Sequence, residues 1–176
     1  MSDTLITIIA IFLAAILMFV FPLLSVSERT DDISQLAVQT ATSEFVNNAR
    51  TTGKITLDEY SSFVQTLAST GNSYDIEMEV KHLDENIGKK SEWTSKQVIG
   101  ENVYYSVYTT QIENELYKDG TNAYSMKSGD VFSVSVKNTN TTISQSLRNF
   151  FYSISGNSTA TVAAQSTGMV TGNGNI

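Results

Sequence analysis

An unbroken apolar run over residues 5–24 dominates the hydrophobic pattern of this chain. The run contains no Asp, Glu, Lys or Arg, and the sequence that follows it is far more polar. In a helix, 20 residues span about 30 Å, which is the thickness of the hydrocarbon core of a bilayer. The pattern therefore predicts a transmembrane anchor helix over residues 1–25.

Two other interpretations of the apolar run stay open. A secretory signal peptide has a basic N-terminal region and a shorter apolar segment, which this chain lacks, although Ser25 and Ser27 fit the small-residue rule for cleavage. A core helix of a soluble protein is rarely apolar on every side over such a length. The anchor is preferred, and Pro22 is predicted to mark the exit of the helix from the bilayer or a kink there.

A second helical pattern, amphipathic this time, covers residues 26–53 and predicts a stalk. Its apolar positions recur at three- and four-residue spacing. They are Ile33, Leu36, Ala37, Ala41, Phe45 and Ala49. Gly53 is the predicted end of this helix. Because little interrupts the two patterns, anchor and stalk are expected to form one long, bent helix from about residue 4 to about residue 50.

Residues 54–176 predict a small α+β head. A capping box, Thr56 with Glu59, opens a helix that runs towards Gly71. Strict alternation over residues 74–80 predicts a strand with an acidic outer face, and the same pattern over residues 132–136 predicts a second strand. The order of elements favours a small, mostly antiparallel sheet packed on helices.

Weaker patterns complete the head. Helical spacing predicts helices over residues 108–118 and 142–154, the latter capped by Thr142, while residues 82–100 resemble a loop. Ala160, Val162 and Ala164 are expected on one side of a final strand. The glycine- and asparagine-rich tail, residues 172–175, is expected to fray.

Charge and composition narrow the partners. The net charge of −7 argues against nucleic acid and against an anionic membrane surface, which both attract basic patches. The chain has no cysteine, which excludes a disulfide framework and thiolate chemistry. Its abundance of Ser, Thr, Asn and Gly is typical of proteins exposed outside a bacterial cell. Lys and Arg near the span are too few to set the topology by charge.

No catalytic, cofactor-binding or metal-binding site emerges from the residue pattern. His82, the only histidine, is expected to be a solvated surface residue, and Trp93 is expected to anchor a loop. A calcium site built from Glu77, Glu79, Asp84 and Glu85 is disfavoured, because the spacing of a calcium loop is absent. The tyrosines of residues 104–108 are expected in the core or sheet, not in a carbohydrate platform. Glycine-rich phosphate loops are also absent.

The apolar helix near the start of the chain, its amphipathic continuation and the small α+β head resemble a type IV pilin-like protein. The segment GDVFSVSV at residues 129–136, with the following helix and the strand over residues 158–169, is similar to minor pilins of Tad (tight adherence) systems of Gram-positive bacteria. The segment ATSEFVNNAR at residues 41–50 resembles the helical entry to the head of those proteins.

The resemblance implies a structural subunit of a surface pilus or a related secretion or adhesion apparatus, not an enzyme. The head would lie outside the cell, and the N-terminal helix would pass from the lipid bilayer into contact with other pilin-like subunits. The membrane and assembly helix would comprise Leu5, Ile9, Ala10, Phe12, Ala14, Ala15, Leu17, Phe19, Phe21 and Pro22.

The sequence departs from the pilin pattern at its start. Pilin precursors carry a basic leader ending in Gly and then a glutamate, whereas the nearest acid here is Asp3. The alternatives are a sequence that begins at or near the processed end and a protein that no prepilin peptidase cuts. A membrane-anchored extracytoplasmic binding domain that never polymerises is therefore the alternative function.

Overall fold

The computed structural model describes residues 2–84, 104–118, 120–142, 145–146 and 163–174. These ranges contain three helices and six strands. The helices are α1 (Ser2–Thr52), α2 (Leu57–Ala68) and α3 (Thr109–Leu116). The strands are β1 (Lys54–Thr56), β2 (Tyr74–Leu83), β3 (Tyr104–Tyr108), β4 (Ala123–Ser125), β5 (Val131–Asn138) and β6 (Ala163–Met169).

Helix α1 confirms that the anchor and stalk patterns form one helix. It is 51 residues long and includes Pro22 within it, which corresponds to roughly 75 Å at 1.5 Å per residue. It ends where predicted, because Gly53 adopts a φ of +73° and its N–H donates to the Ala49 carbonyl oxygen at 2.9 Å. Glycine takes that backbone conformation without steric cost.

Strands β3, β2, β5 and β6 form, in that order, an antiparallel four-stranded sheet. This confirms the α+β class and the antiparallel sheet. Both strands predicted from alternation, β2 and β5, lie at its centre. A separate two-stranded sheet joins β1 to β4, with Ile55 opposite Tyr124; its strands are too short to show a hydrophobic period, and the sequence did not predict it.

The second half of α1 packs with α2 against one face of the large sheet. The Phe45 ring stacks on Phe63 with a centroid distance of 4.5 Å and meets the edge of Phe132 at 5.9 Å. All three side chains are buried. Burying a side chain of this size contributes about 1.5–3 kcal/mol to the free energy of folding, so this aromatic contact holds helix and sheet together.

The face that α1 buries differs in part from the predicted one. Ile33 and Leu36 are 70% and 66% exposed, whereas Ser34 and Val38 are buried. The prediction was therefore wrong for the first turns of the stalk and right for Phe45 and its neighbours. With 3.6 residues per turn, two neighbouring stripes of the helix surface can both fit the observed apolar spacing. The position of the sheet determines that the stripe with Val38 is buried.

The local signals around α2 and residue 142 are confirmed. The Thr56 N–H donates to the Glu59 carboxylate at 3.1 Å, and the Glu59 N–H donates to the Thr56 hydroxyl at 3.3 Å. Thr142 and Gln145 make the same reciprocal pair, at 3.2 Å in both directions. The rest of the predicted helix over residues 142–154 lies outside the described residues.

The tail is held in place, contrary to the predicted fraying, up to the last described residue. The N–H groups of Thr171 and Gly172 donate to the Arg50 carbonyl oxygen at 2.9 and 3.0 Å, and the Gly174 N–H donates to Met126 at 3.1 Å. A Cβ on Gly172 would collide with the backbone of Thr51. The glycines that suggested disorder instead permit this close approach.

Four further predictions fall outside the described residues. They are the part of the predicted loop beyond Asp84, the anchoring role of Trp93, the positions of Ala160 and Val162, and the contribution of Glu85 to a calcium site. At the start of that loop, predicted over residues 82–100, the prediction was wrong, because His82 and Leu83 belong to β2. Within the described part of the last strand, Ala164 is buried as expected.

The register of β5 predicts opposite outcomes for two adjacent substitutions. Val134 is fully buried, so Val134→Asn should lower the free energy of unfolding by about 3 kcal/mol through lost packing and an unpaired amide. Ser135 lies on the outer face, so Ser135→Asn should change it by less than about 0.5 kcal/mol. Chemical denaturation of both variants measures the difference, and equal losses would contradict the register.

Candidate functional site

The ten residues of the predicted membrane and assembly helix are all solvent-exposed along the first half of α1. The exposed fractions of the six large side chains among them range from 46% for Leu17 to 75% for Phe19. Among the described residues, α1 is the single helix that is long and apolar enough to cross a membrane, and none of its most apolar window is buried. The head therefore leaves this whole surface open to lipid or to other helices.

Small residues and one proline shape this surface. Ala10 and Ala14 lie one turn apart on one side of α1, with Ala15 beside them, and all three are exposed. Side chains this short allow the backbone of a second helix to approach closely. Pro22 has no N–H, so the Met18 carbonyl oxygen lacks its usual helical donor. The span thus combines a flat side for packing with a weakened turn near its end.

The hydroxyl of Thr7, which lies inside the charge-free run of α1, is satisfied within the helix. The Thr7 hydroxyl donates to the Asp3 carbonyl oxygen at 2.8 Å. A hydroxyl bonded to the preceding turn brings no unsatisfied donor into an apolar medium. Thr7 is therefore compatible with burial in lipid.

A polar cluster within the head, formed by Asp130, His82 and Tyr124, connects the two sheets. Asp130 is 2% exposed, and its carboxylate accepts the N–H groups of Leu83 at 3.0 Å and Lys127 at 2.8 Å. The same carboxylate also lies 2.8 Å from His82 Nδ1. The second ring nitrogen, His82 Nε2, lies 2.5 Å from the Tyr124 hydroxyl oxygen.

His82 is therefore not the solvated surface residue that was predicted. Its side chain is 13% exposed, both ring nitrogens are hydrogen-bonded, and the Tyr105 ring stacks on it with a centroid distance of 5.1 Å. Burial is also the main cause that raises the pKa of Tyr124 to about 12, with electrostatic repulsion from Tyr105 and Asp130 adding to it. Tyr124 thus stays neutral at physiological pH and can share a proton with the imidazole.

The alternation of β2 and β5 contained a signal for this cluster. His82 follows Met78 and Val80 in steps of two, and Asp130 precedes Phe132 by two, so each polar residue belongs to the inward-facing set of its strand. A histidine and an aspartate at inward positions of paired strands are expected to meet.

The acidic outer face of β2 pairs with lysines. Glu77 lies 3.3 Å from the Lys137 ammonium group, and Glu79 lies 3.9 Å from that of Lys81 while it accepts the Ser106 hydroxyl at 2.8 Å. Throughout the described ranges no group of three or more His, Cys, Asp or Glu side chains is arranged to hold a metal ion.

The tyrosines of β3 lie in the sheet, as predicted, but they are not core residues. Tyr104, Tyr105 and Tyr108 are 41%, 54% and 59% exposed. In the described part of the sheet β3 is an edge strand, so its aromatic side chains have a neighbouring strand, β2, on one side.

Removing the Asp130 carboxylate should destabilise the head. Asp130→Ala leaves two backbone N–H groups and the imidazole without their acceptor, which should cost about 2–4 kcal/mol of unfolding free energy. Asp75→Ala, an exposed carboxylate on β2, is the matched control and should change that free energy by less than about 0.5 kcal/mol. Denaturant titration of both variants gives the values; equal stability of the two would contradict the role assigned to Asp130.

No family model, curated protein sequence or solved structure matches this chain. Its function is therefore argued from its own geometry.

Proposed function

We propose that this protein is a membrane-anchored, pilin-like structural subunit of a bacterial surface filament or of a related secretion or adhesion apparatus. The observation that carries the proposal is α1, a single helix whose first half is apolar and exposed and whose second half is part of the core of the head. The subunit acts mechanically and catalyses no reaction.

The exposed apolar surface of the first half of α1 is unfavourable in water and has to be buried against another apolar surface. Its side chains form a continuous apolar surface much larger than the patches of a few hundred Å² that soluble monomers expose. The length of the charge-free run, residues 5–24, matches the hydrocarbon core of a bilayer. Before assembly, a lipid bilayer would bury this surface. Within a filament, the equivalent helices of neighbouring subunits would bury it.

The connection between the apolar half of α1 and the head supports a structural subunit over a head that is joined to its anchor by a flexible linker. Residues 34–49 of α1 supply the buried Val38, Phe45 and Val46, so the helix that leaves the membrane is itself a core element. The Gln35 side chain also binds both backbone groups of Ala163, donating to the carbonyl oxygen at 2.7 Å and accepting the N–H at 3.2 Å. A displacement of the membrane helix is thereby transmitted directly to the sheet.

The head is proposed to lie outside the cell. It is rich in Ser, Thr and Asn, and the chain carries a net charge of −7, which keeps such a surface soluble and away from anionic lipid headgroups. Assembly then requires contacts between membrane helices, and Ala10 and Ala14 provide the side of α1 that suits them.

Membrane extraction tests the anchor. We expect the full-length protein to stay with membranes in high salt and in alkaline carbonate and to be released by detergent, because burial of the apolar run exceeds what a peripheral contact supplies. A chain without residues 2–30 is the control and should be soluble and folded, since it keeps Asp31, whose carboxylate accepts the Thr142 hydroxyl at 2.9 Å. Release of the full-length protein by carbonate would refute the anchor.

Substitution of the alanine side of α1 tests assembly. A charge at the centre of a span costs about 2.5–3.5 kcal/mol, which the other apolar residues, at about 0.3–0.6 kcal/mol each, outweigh. Ala14→Arg should therefore leave the protein in the membrane and its head stable, while it abolishes incorporation into surface fibres. Gln65→Arg, which places the same charge on the exposed side of α2, is the matched control and should assemble normally.

Immunogold labelling of sheared fibres with an antibody to the head measures incorporation, in a strain with an active pilus system. Label on wild-type and Gln65→Arg fibres, and none on Ala14→Arg fibres, is the expected result. If fibres form normally and never carry label in any strain, the protein is a non-polymerising anchored binding domain instead.

A further inference from the structure

A groove of about 560 Å³ lies on the face of the large sheet that points away from α1. Its floor consists of outward-facing residues of β2, β5 and β6, and one wall is formed by Tyr108 and the first residues of α3. Sites that hold small molecules usually measure about 300–1,000 Å³, so the groove has a suitable size.

Strand register aligns polar side chains across the floor. Glu77 lies opposite Ser135, and Ser135 lies opposite Gln165, which places a carboxylate, a hydroxyl and an amide in one row. Side chains at directly opposed positions are about 4.5–5.5 Å apart at Cβ, which is close enough for one ligand to contact two of them.

This row keeps hydrogen-bonding capacity that the neighbouring row has used. In the neighbouring row, Glu79 accepts the Ser106 hydroxyl, and the Thr167 hydroxyl donates to Ser133 at 3.1 Å. Neither Ser135 nor Gln165 has a side-chain hydrogen bond to any residue within the described ranges. Glu77 accepts the Lys137 ammonium group at 3.3 Å, so the unused capacity of the first row lies at Ser135 and Gln165, and these two side chains are available to a ligand.

Tyr108 supplies an aromatic surface beside this row. It is paired with Glu79, so its ring lies on the same outer face, and it is 59% exposed. Its backbone N–H is engaged at the start of α3, where it donates to the Gln111 side chain at 3.1 Å. The exposed tyrosine ring offers an apolar face and a polar hydroxyl at its edge.

The charges at the groove favour a neutral ligand. The carboxylates of Glu77 and Glu79 would repel an anion, while Lys137 and Lys81 lie within 4 Å of them and reduce their attraction for a cation. A ligand that presents many hydroxyl groups and a C–H face, without net charge, satisfies both the polar row and the tyrosine.

We propose that this groove binds a neutral saccharide, with one sugar ring stacked on Tyr108 and its hydroxyl groups bonded to Glu77, Ser135 and Gln165. Sugar hydroxyls both donate and accept, which suits a row that combines a carboxylate, a hydroxyl and an amide. The site goes beyond the proposed structural role and does not depend on whether the protein polymerises.

Calorimetric titration of the full-length protein in phosphatidylcholine nanodiscs, which bring no sugar headgroup, tests the proposal. The probes are three neutral trisaccharides (chitotriose, cellotriose and mannotriose) and the glucosamine trisaccharide, which is the cationic counterpart of chitotriose. We expect saturable binding of at least one neutral probe and weaker binding of the cationic one.

Variants then locate the binding. Tyr108→Ala should weaken the affinity roughly tenfold, and Tyr108→Phe should retain it, because the ring face remains. Tyr117→Ala is the matched control, since Tyr117 is 62% exposed and lies outside the groove. Ser135→Trp should abolish binding by filling the groove.

Three results would overturn the proposal. They are the absence of binding by all neutral probes, a preference for the cationic trisaccharide, and equal losses in Tyr108→Ala and Tyr117→Ala. The thermal midpoint of every variant is measured in parallel, and Tyr108→Phe provides a folded comparison if Tyr108→Ala is unstable.

Discussion

The continuity of α1 as a single helix is the constraint on which the rest of the structure depends. One helix has to satisfy two environments: it presents only apolar side chains over residues 5–24 and an amphipathic surface beyond them. Since a helix pairs its backbone groups internally, here with the exception of the Met18 carbonyl oxygen opposite Pro22, the proposed anchor can continue into the core of the head without a loop that would leave polar groups exposed to lipid. The sheet, α2 and the tail are arranged around the second half of this helix.

Local signals in the sequence predicted the elements that local interactions determine. The capping box at Thr56 sets the start of α2, and alternation sets the exposed and buried sides of β2 and β5, because these patterns depend on neighbours in sequence. The phase of the stalk surface could not be predicted in the same way. Whether Val38 or Ile33 is buried depends on where the sheet lies, and that is fixed by contacts far along the chain.

Among the candidate sites too, features set by local sequence were predictable and features set by distant contacts were not. The long apolar helix was predictable from the sequence, because its evidence is the composition of one continuous segment. The burial of His82 and Asp130 depends on pairs of elements, β2 with β5 and β4 with β1, and short strands such as β4 carry no period of their own. The tail was mispredicted for a related reason. Glycine lowers the local preference for order, yet at Gly172 it is what allows the chain to contact the end of α1.

The two proposed roles, assembly through α1 and saccharide binding in the groove, use opposite faces of the large sheet. Its inner face packs against α1 through Phe132 and the edge of β6, so in the proposed function this face couples the head to the membrane helix. The outer face carries Tyr108 and the polar row, and none of the α1 residues line that groove. A ligand in the groove therefore leaves the surface of the span unchanged, and a neighbouring helix on Ala10 and Ala14 leaves the groove open. Assembly and recognition can thus proceed at the same time, with the sheet as the rigid element between them.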